Sequence, residues 1–227
     1  MLFLMIYILP VLAVLLSFII IKVFNPRKTL FINLLLAFSG SFLLSLTFFE
    51  LLPSVYTKAN SKAMALFILA GLLLQIFLEF FSKGAEHGHM HFSLEKNKFP
   101  VILFISLSIH ALVEGMPITN DNNILLGILV HKVPIALILS IFLINSELKK
   151  TYIYLFILLF AVMTPLGSYL ASSSPFFSNY KTYLHALSIG VFLHIATIIL
   201  FESSKGHSFN MQKLLVIILG ITTAYFI

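Results

Sequence analysis

The stretch FPVILFISLSIHALVEGMPI, residues 99–118, decides the fold class of this chain. It is a run of mostly apolar residues with a length of about 20, which is what an α-helix needs to cross a hydrocarbon layer roughly 30 Å thick. Within it lie His110, Glu114 and Pro117. A charged carboxylate at membrane depth costs about 3 kcal/mol on insertion scales, so it must face a partner or a water-filled path. The stretch therefore predicts a membrane-spanning helix that carries a polar site.

The rest of the chain repeats the apolar pattern. Of its 227 residues, 60% are hydrophobic and only 10% are charged, which excludes an ordinary soluble domain. Eight runs have membrane-spanning length: residues 2–21, 30–53, 63–82, 99–118, 124–144, 151–172, 183–203 and 211–227. The first run lacks a basic leading segment and a small-residue cleavage site, so we interpret it as a spanning helix and not as a signal peptide. The sequence predicts an all-α integral membrane protein, with residues 1–227 forming one transmembrane domain of eight helices in the lipid bilayer.

The basic residues are distributed unevenly over the predicted loops. If the N-terminus lies outside the cytoplasm, the inner loops hold Lys22, Arg27, Lys28, Lys83, Lys96, Lys98, Lys149, Lys150, Lys205 and Lys213. The outer loops then hold Lys58, Lys62 and Lys181. The positive-inside rule expects this asymmetry, so we predict that both termini are extracytoplasmic. It also explains the net charge of +6 without a nucleic-acid partner. The chain has no cysteine, which excludes disulfides and thiolate metal ligands.

One face of the fourth predicted helix is polar. Ser106, His110 and Glu114 are four residues apart and therefore lie on the same side of the helix. The fifth predicted helix contains GILVHKVPIAL, in which His131 and Lys132 interrupt the apolar pattern. Because a short loop joins the two helices, we expect them to pack as an antiparallel pair. His110 and His131 can then converge with Glu114.

Gly115 and Gly127 would allow that pairing, since small residues let membrane helices approach closely. Two imidazoles and a carboxylate form a ligand set that suits Zn²⁺, Fe²⁺ or Mn²⁺ and is too rich in nitrogen for Mg²⁺ or Ca²⁺. The alternative is a structural ion pair between Glu114 and Lys132, with the histidines bonded to backbone or serine groups. The residues alone leave both interpretations open.

Two prolines lie within three residues of these candidate ligands. Pro117 cannot donate a hydrogen bond to the carbonyl of Val113, and Pro134 cannot donate to that of Val130, so we expect both helices to kink. Broken helices at membrane depth are tolerated where they line a cavity, and in transporters they mark substrate sites. The pattern predicts a cavity beside the polar residues.

The longest polar segment is the loop at residues 83–98, on the predicted cytoplasmic side between the third and fourth helices. It contains EHGHMH, with His87, His89 and His91 at alternate positions. Three imidazoles on one loop can capture a divalent transition metal weakly. We interpret the alternation as metal contact; the alternative is a solvated loop without a ligand.

A polar site at membrane depth, in a chain with little mass outside the membrane, suggests passage of an ion. The HExxH signature of intramembrane metalloproteases is absent from the sequence and no Ser/His/Asp set stands out, so we do not expect an enzyme. Two alternatives stay open. A haem-binding or electron-transfer protein would use His110 and His131 as axial ligands, and a zinc-dependent membrane hydrolase would turn over a substrate.

These residues resemble the Zrt/Irt-like (ZIP) family of metal transporters along most of the chain. HALVEG at 110–115 is similar to the family's fourth helix, in which a glutamate and a glycine follow a histidine by four and five residues. HKVPIAL at 131–137 is similar to the fifth helix of one branch. FFELLP at 48–53, GLLLQIFLE at 71–79 and TPLG at 164–167 are similar to the second, third and sixth helices.

The resemblance implies a carrier with a 3+2+3 arrangement, in which helices 1–3 and 6–8 are inverted repeats around helices 4 and 5. It implies transport of a divalent transition metal into the cytosol, with zinc the first candidate and iron or manganese the alternatives. The metal would be the substrate, and no cofactor is expected. The resemblance also implies a homodimer in the cell membrane.

The chain departs from the family's pattern where a second metal would bind. Ile135 stands where members with a two-metal centre carry a carboxylate, and Ala111 and Lys132 follow the histidines in place of metal-binding residues. The Lys132 ammonium could take the place of the missing cation and hold Glu114 ionised. The resemblance then implies a single metal, with the ligands His110, Glu114 and His131.

Other residues are candidates for an auxiliary site or for steps on the ion's path. GVFLHIATIILFES in the seventh helix places His194 at an aromatic position of the family's pattern and Glu202 one turn after its glutamate. His194 is either an auxiliary ligand or an intramembrane histidine bonded to a neighbouring helix. Glu50 and Glu79 lie near helix ends, as entrance and exit steps or as simple interfacial charges. The pathway candidates are Ser106, Lys132, His194, Glu50, Glu79 and Glu202.

Overall fold

The apolar runs form helices in the structure. The computed structural model describes residues 2–24, 30–57, 60–85, 94–118, 122–174, 177, 179–202 and 211–227. The α-helices in this part are α1 (Leu2–Phe24), α2 (Leu30–Leu46), α3 (Leu52–Tyr56), α4 (Ser61–Ser82), α5 (Val101–Gly115), α6 (Asn122–Asn145), α7 (Lys150–Ala161), α8 (Met163–Ser173), α9 (Lys181–Glu202) and α10 (Met211–Tyr225). A π-helical turn, Thr47–Leu51, joins α2 to α3. The described residues contain no strand, and the all-α prediction is confirmed.

Six helical segments are long and apolar enough to cross a membrane: Met5–Phe24, Leu30–Tyr56, Ser61–Ser82, Asn123–Asn145, Lys150–Ser173 and Lys181–Phe201. Two shorter apolar helices, α5 and α10, have 15 residues each. At the α-helical rise, such a helix is only about 22 Å long. These eight segments coincide with the eight apolar runs of the sequence, and the chain is a multi-pass membrane protein.

α5 is shorter than the run from which it was predicted because a proline stands at each end. Pro100 immediately precedes its first residue, and the helix ends two residues before Pro117. The prediction that Pro117 kinks this helix is wrong. Pro117 has no N–H to continue the α-helical bonding, and the helix ends at Gly115, with Met116 still in helical conformation. The chain leaves the helix through tighter turns, in which the Met116 N–H donates to the carbonyl of Val113 and the Ile118 N–H to that of Gly115. Pro117 cannot donate a hydrogen bond to the carbonyl of Val113. This carbonyl accepts one from the Ser188 hydroxyl of α9, at 2.8 Å.

Prolines also mark the irregular points of other helices. The sixth run divides into α7 and α8 at Val162, three residues before Pro165, whose missing N–H leaves the preceding turn without its hydrogen bond. The π-helical turn ends two residues before Pro53. α6, by contrast, continues through Pro134. The sixth run was predicted from the sequence, but its division was not.

The helices pack in pairs: α4 against α9, α2 against α10, α1 against α6, and α5 against α8. Glycines bring two of these pairs into backbone contact. A Cβ on Gly71 or Gly190 would overlap the facing backbone in the α4–α9 pair, and a Cβ on Gly115 or Gly167 would do so in the α5–α8 pair. Small residues are used in this way where membrane helices approach most closely.

The predicted close pairing of α5 with α6 is wrong. Gly115 of α5 contacts the carbonyl of Thr164 in α8, whereas Gly127 of α6 faces the side chain of Leu46 in α2. A glycine in a membrane helix indicates that some neighbour comes close, but its position in the sequence does not say which one. The two helices are instead linked by long side chains.

Candidate metal centre

A buried ion pair links α5 to α6. The Nζ atom of Lys132 donates to Oε2 of Glu114 at 2.7 Å, and the two side chains are 4% and 1% exposed. The Thr164 hydroxyl of α8 also donates to this oxygen, at 3.5 Å. The Lys132 ammonium lies 5.5 Å from the ring centroid of Phe160 in α7. Three helices therefore meet at one carboxylate, while α7 contacts its lysine partner. The ion pair that the sequence offered as an alternative is present.

The local fold explains how these side chains meet. Gly115 and Gly167 hold the backbones of α5 and α8 together, which places the short side chain of Thr164 beside the carboxylate. α6 packs mainly against α1 and α2, so only a long side chain such as lysine reaches the carboxylate from it. A buried charge pair of this kind removes most of the cost of burying each ion alone, provided that both partners stay in place.

The second oxygen of the carboxylate is in a different situation. Oε1 of Glu114 is buried, and no group in the described part of the chain donates a hydrogen bond to it. Buried polar atoms in folded proteins nearly always have a hydrogen-bond partner, so an exception calls for a ligand, an ion or a water molecule. A carboxylate oxygen is a good ligand for a divalent cation.

His110 lies one helical turn from Glu114 on the same face of α5 and is 2% exposed. Its Nδ1 atom is 3.3 Å from Oε1 of Gln75, which is fully buried in α4. An amide oxygen at this position favours the tautomer in which Nδ1 carries the proton. This arrangement is typical of metal-ligating histidines, whose second ring nitrogen is oriented by a neighbouring acceptor.

Gln75 and Thr164 were not predicted as site residues from the sequence. The signal for Gln75 was an amide side chain in the middle of an apolar run, four residues before Glu79. Thr164 stands directly before Pro165, where the sixth run is interrupted. Neither residue could be assigned to the site before the packing of α4 and α8 against α5 was known.

His131 is next to Lys132 in α6 and is 1% exposed. Within the described ranges, no three His, Asp or Glu side chains lie close enough together to hold a metal ion. The structure thus brings Glu114 together with Lys132 and Thr164. It does not assemble His110, Glu114 and His131 into a closed ligand set.

The remaining candidates lie at several places. Ser106 shares the buried face of α5, as predicted, but its hydroxyl donates to the carbonyl of Ile102 in its own helix at 2.9 Å. Glu50 is half-buried in the π-helical turn. The side chain of Glu202 is outside the described residues, as are the loop histidines His87, His89 and His91.

A second pair of charged or ionisable side chains joins α4 to α9. Nε2 of His194 is 2.6 Å from Oε2 of Glu79, and the side chains are 13% and 23% exposed. This matches one of the two alternatives for His194, a histidine bonded to a neighbouring helix. Glu79 is one turn from Gln75 on α4, so the two polar contacts of this helix follow each other along one face.

Comparison with known proteins places these contacts in a family context. A family model described as ZIP Zinc transporter matches residues 95–227. The zinc transporter ZIP1 of Danio rerio is 37% identical over 90 residues, which is 37% of this chain and 30% of that protein. The protein zntD of Dictyostelium discoideum is 29% identical over 164 residues, 62% of this chain and 24% of that protein. The chain spans less than a third of the length of these relatives.

The zinc transporter ZIP1 of Takifugu rubripes is 32% identical over 90 residues. The matched family region covers more than half of this chain and begins before α5, so it contains both Glu114 and Lys132. On the strength of that match and of the helical bundle around these residues, the chain belongs to the ZIP zinc transporter family.

Proposed function

We propose that this chain carries a divalent transition metal across the cell membrane into the cytosol and is not an enzyme. Zinc is the first candidate, because relatives of this chain are named zinc transporters, and iron and manganese are the alternatives. The observation that carries the proposal is the carboxylate of Glu114, which is buried in an apolar helix with Oε1 unused by the described residues. An intramembrane carboxylate of this kind marks an ion pathway.

In this proposal Glu114 and His110 bind the metal, through Oε1 and Nε2 respectively. Gln75 accepts from Nδ1 of His110 and so orients the imidazole ring with Nε2 as the ligand nitrogen. His131 is the third ligand and must approach Glu114 when the metal arrives, since the structure does not hold the three side chains together. A site whose third ligand joins only when the metal binds is consistent with a carrier, because a carrier must also release its ion.

Lys132 balances the charge of Glu114 while no metal is bound. With the metal absent, its ammonium is the only charge in the described part of the chain that compensates the buried Glu114. With the metal present, the same ammonium repels the incoming dication and limits how tightly it is held. Conduction and transport require binding that is strong enough to admit an ion and weak enough to let it leave. The apolar side chain of Ile135, 4% exposed, provides no carboxylate for a second metal, so we propose one metal per centre.

The exit follows the polar contacts of α4. Glu114 and His110 are one turn apart on α5, His110 meets Gln75 across the interface, and Glu79 is one turn further along α4. Glu79 then meets His194 on α9. This series approaches the end of α4 that leads into the loop at 83–98, where we propose that the alternating histidines receive the metal. Glu50, in the π-helical turn at the other end of α2, is the proposed entrance step.

The 3+2+3 arrangement is supported by the helix pairs. Under an inverted repeat, α1 corresponds to α7–α8, α2–α3 to α9, α4 to α10, and α5 to α6. If the two repeats are exchanged, the α4–α9 contact becomes the α10–α2 contact. The α1–α6 contact becomes the contacts of α5 with α7 and α8. All of these contacts are present. We propose on this basis that eight helices cross the membrane around a central α5 and α6.

The lysines indicate the orientation. Among the described residues, Lys22, Lys83, Lys149 and Lys150 lie at one end of the helices, and Lys62 and Lys181 at the other. We propose that the first end faces the cytoplasm and that both termini are extracytoplasmic. A homodimer, as the family resemblance implies, is part of the same proposal.

Uptake into proteoliposomes tests the function. Radiolabelled zinc, and iron and manganese as competitors, would be offered to the purified protein and to His110→Ala, Glu114→Ala and His131→Ala. We expect each variant to lose most of the zinc uptake, and the strongest competitor to identify the preferred ion. Ser140→Ala is the matched control, since this buried serine of α6 bonds only to the carbonyl of Ala136 among the described groups. Undiminished uptake by the three folded variants would place the path elsewhere.

A further inference from the structure

A cavity of about 180 Å³ lies between α1, α6 and α7, away from the candidate metal centre. It is lined by Phe18, Lys22, Ile144, Lys150, Ile153 and Tyr154. This lining combines two cations with an apolar and aromatic wall and includes no carboxylate. Within the described part of the chain, neither lysine forms a salt bridge. The cavity therefore has a net positive rim without a compensating anion of its own.

The two helices contribute matching halves to this cavity. Phe18 is one turn from Lys22 on α1, and Tyr154 is one turn from Lys150 on α7. α1 ends just after Lys22 and α7 begins at Lys150, so both lysines stand at the end of the bundle and both aromatic rings lie one turn deeper. Nζ of Lys22 is 5.1 Å from the centroid of the Tyr154 ring, and the Phe18 ring meets that ring edge-on at 5.9 Å.

We propose that this cavity binds an anionic phospholipid. Its phosphate would lie between the Lys22 and Lys150 ammonium groups at the membrane surface, and the beginning of an acyl chain would lie along Phe18 and Tyr154. The two lysines at the end of the bundle match the anionic headgroup, and the aromatic rings one turn deeper match the acyl chain. Basic pockets between membrane helices bind anionic headgroups. The proposed orientation places the site in the cytoplasmic leaflet. Binding at the site depends neither on that orientation nor on the metal pathway.

The sequence permits a direct test because it contains no tryptophan. A Tyr154→Trp variant would be the only tryptophan-containing species, and its fluorescence in vesicles would be quenched by acyl-chain-brominated lipid in the cavity. We expect brominated phosphatidylglycerol to quench at a mole fraction about tenfold lower than brominated phosphatidylcholine, since each lysine near the surface favours an anionic headgroup. In the background Lys22→Gln, Lys150→Gln the two lipids should quench alike.

Three comparisons isolate the cavity from general surface charge. Lys149→Gln removes the same charge from an exposed neighbour that does not line the cavity and should leave the preference unchanged. Phe80→Trp reports from an exposed position on α4 and should show no such preference. The double arginine variant of Lys22 and Lys150 keeps the charge and should keep the preference. Equal quenching by both lipids at Tyr154→Trp, or a preference that survives the glutamine variants, would overturn the proposal.

Discussion

Two carboxylates inside this bundle are paired with a basic side chain, and the two pairs differ in how far water can reach them. The Glu114–Lys132 pair is sealed, with side chains 1% and 4% exposed. The Glu79–His194 pair is 23% and 13% exposed and joins a different pair of helices. In the sealed pair each charge depends mainly on its partner, because bulk water does not reach either side chain. In the more open pair water can take over part of that role, so the same kind of contact has different consequences for stability.

The largest effect is expected where the sealed pair loses one member. Lys132→Met leaves Glu114 buried without its cation, and the free energy of unfolding should fall by about 3–5 kcal/mol. Denaturant unfolding of the detergent-solubilised protein would measure this. Lys98→Met, which removes an exposed lysine paired with Glu95 at 2.8 Å, should leave unfolding unchanged. Equal stability of the two variants would mean that Glu114 is not held ionised by Lys132.

A second effect is expected from the glycine that holds α5 against α8. In Gly115→Ala the new Cβ would overlap the carbonyl oxygen of Thr164, and backbone cannot move aside without displacing the helix. We expect a loss of about 1–3 kcal/mol on thermal unfolding. Gly127→Ala is the comparison, since its Cβ meets the flexible end of the Leu46 side chain and should cost less. A larger loss for Gly127→Ala would contradict the assigned packing.

Gln75 allows the ligand role of His110 to be separated from its burial. Gln75→Leu keeps the volume but removes the acceptor for Nδ1, and zinc affinity should weaken by about 10–100-fold. Titration against a zinc-sensitive dye, in a variant without the loop histidines His87, His89 and His91, would measure the remaining site. Unchanged affinity would show that the contact of 3.3 Å between His110 and Gln75 does not orient a ligand.

The smallest change in stability is expected at the more open pair. Glu79→Gln keeps a hydrogen-bond acceptor for His194 in a position that water reaches, so the free energy of unfolding should change by about 1 kcal/mol or less. Zinc uptake by this variant should fall several-fold if Glu79 is an exit step. A loss of stability as large as that of Lys132→Met would instead make this pair a second structural centre.

Much of the fold could be predicted from the sequence because burial in lipid leaves a strong and local signal. The length of each apolar run predicted a helix, and the four-residue spacing of Ser106, His110 and Glu114 correctly predicted one buried face of α5. The ends of the helices were less predictable than their existence. Pro117 was expected to kink a helix that it instead ends, because the same missing N–H produces either result, depending on whether the next residues continue the helix.

The partners of the site could not be read from the sequence in the same way. Gly115 and Gly127 predicted close contacts, but only the packing shows that these contacts are with α8 and α2. Thr164 and Gln75 are brought to the carboxylate and to His110 from helices distant in the chain. The sequence is compatible with Glu114 as a metal ligand and with Glu114 as half of an ion pair. The ion pair is present in the structure, and the metal role is a proposal.

The most direct test removes both charges of the sealed pair at once. Glu114→Leu combined with Lys132→Met replaces the ion pair by apolar side chains of similar size, a change that is often neutral or stabilising for a fold. The protein should therefore unfold at or above the wild-type temperature. If Glu114 is the metal ligand, this stable variant takes up no zinc in proteoliposomes. Zinc uptake at the wild-type rate by the same variant would contradict the central claim and leave the pair as a structural element only.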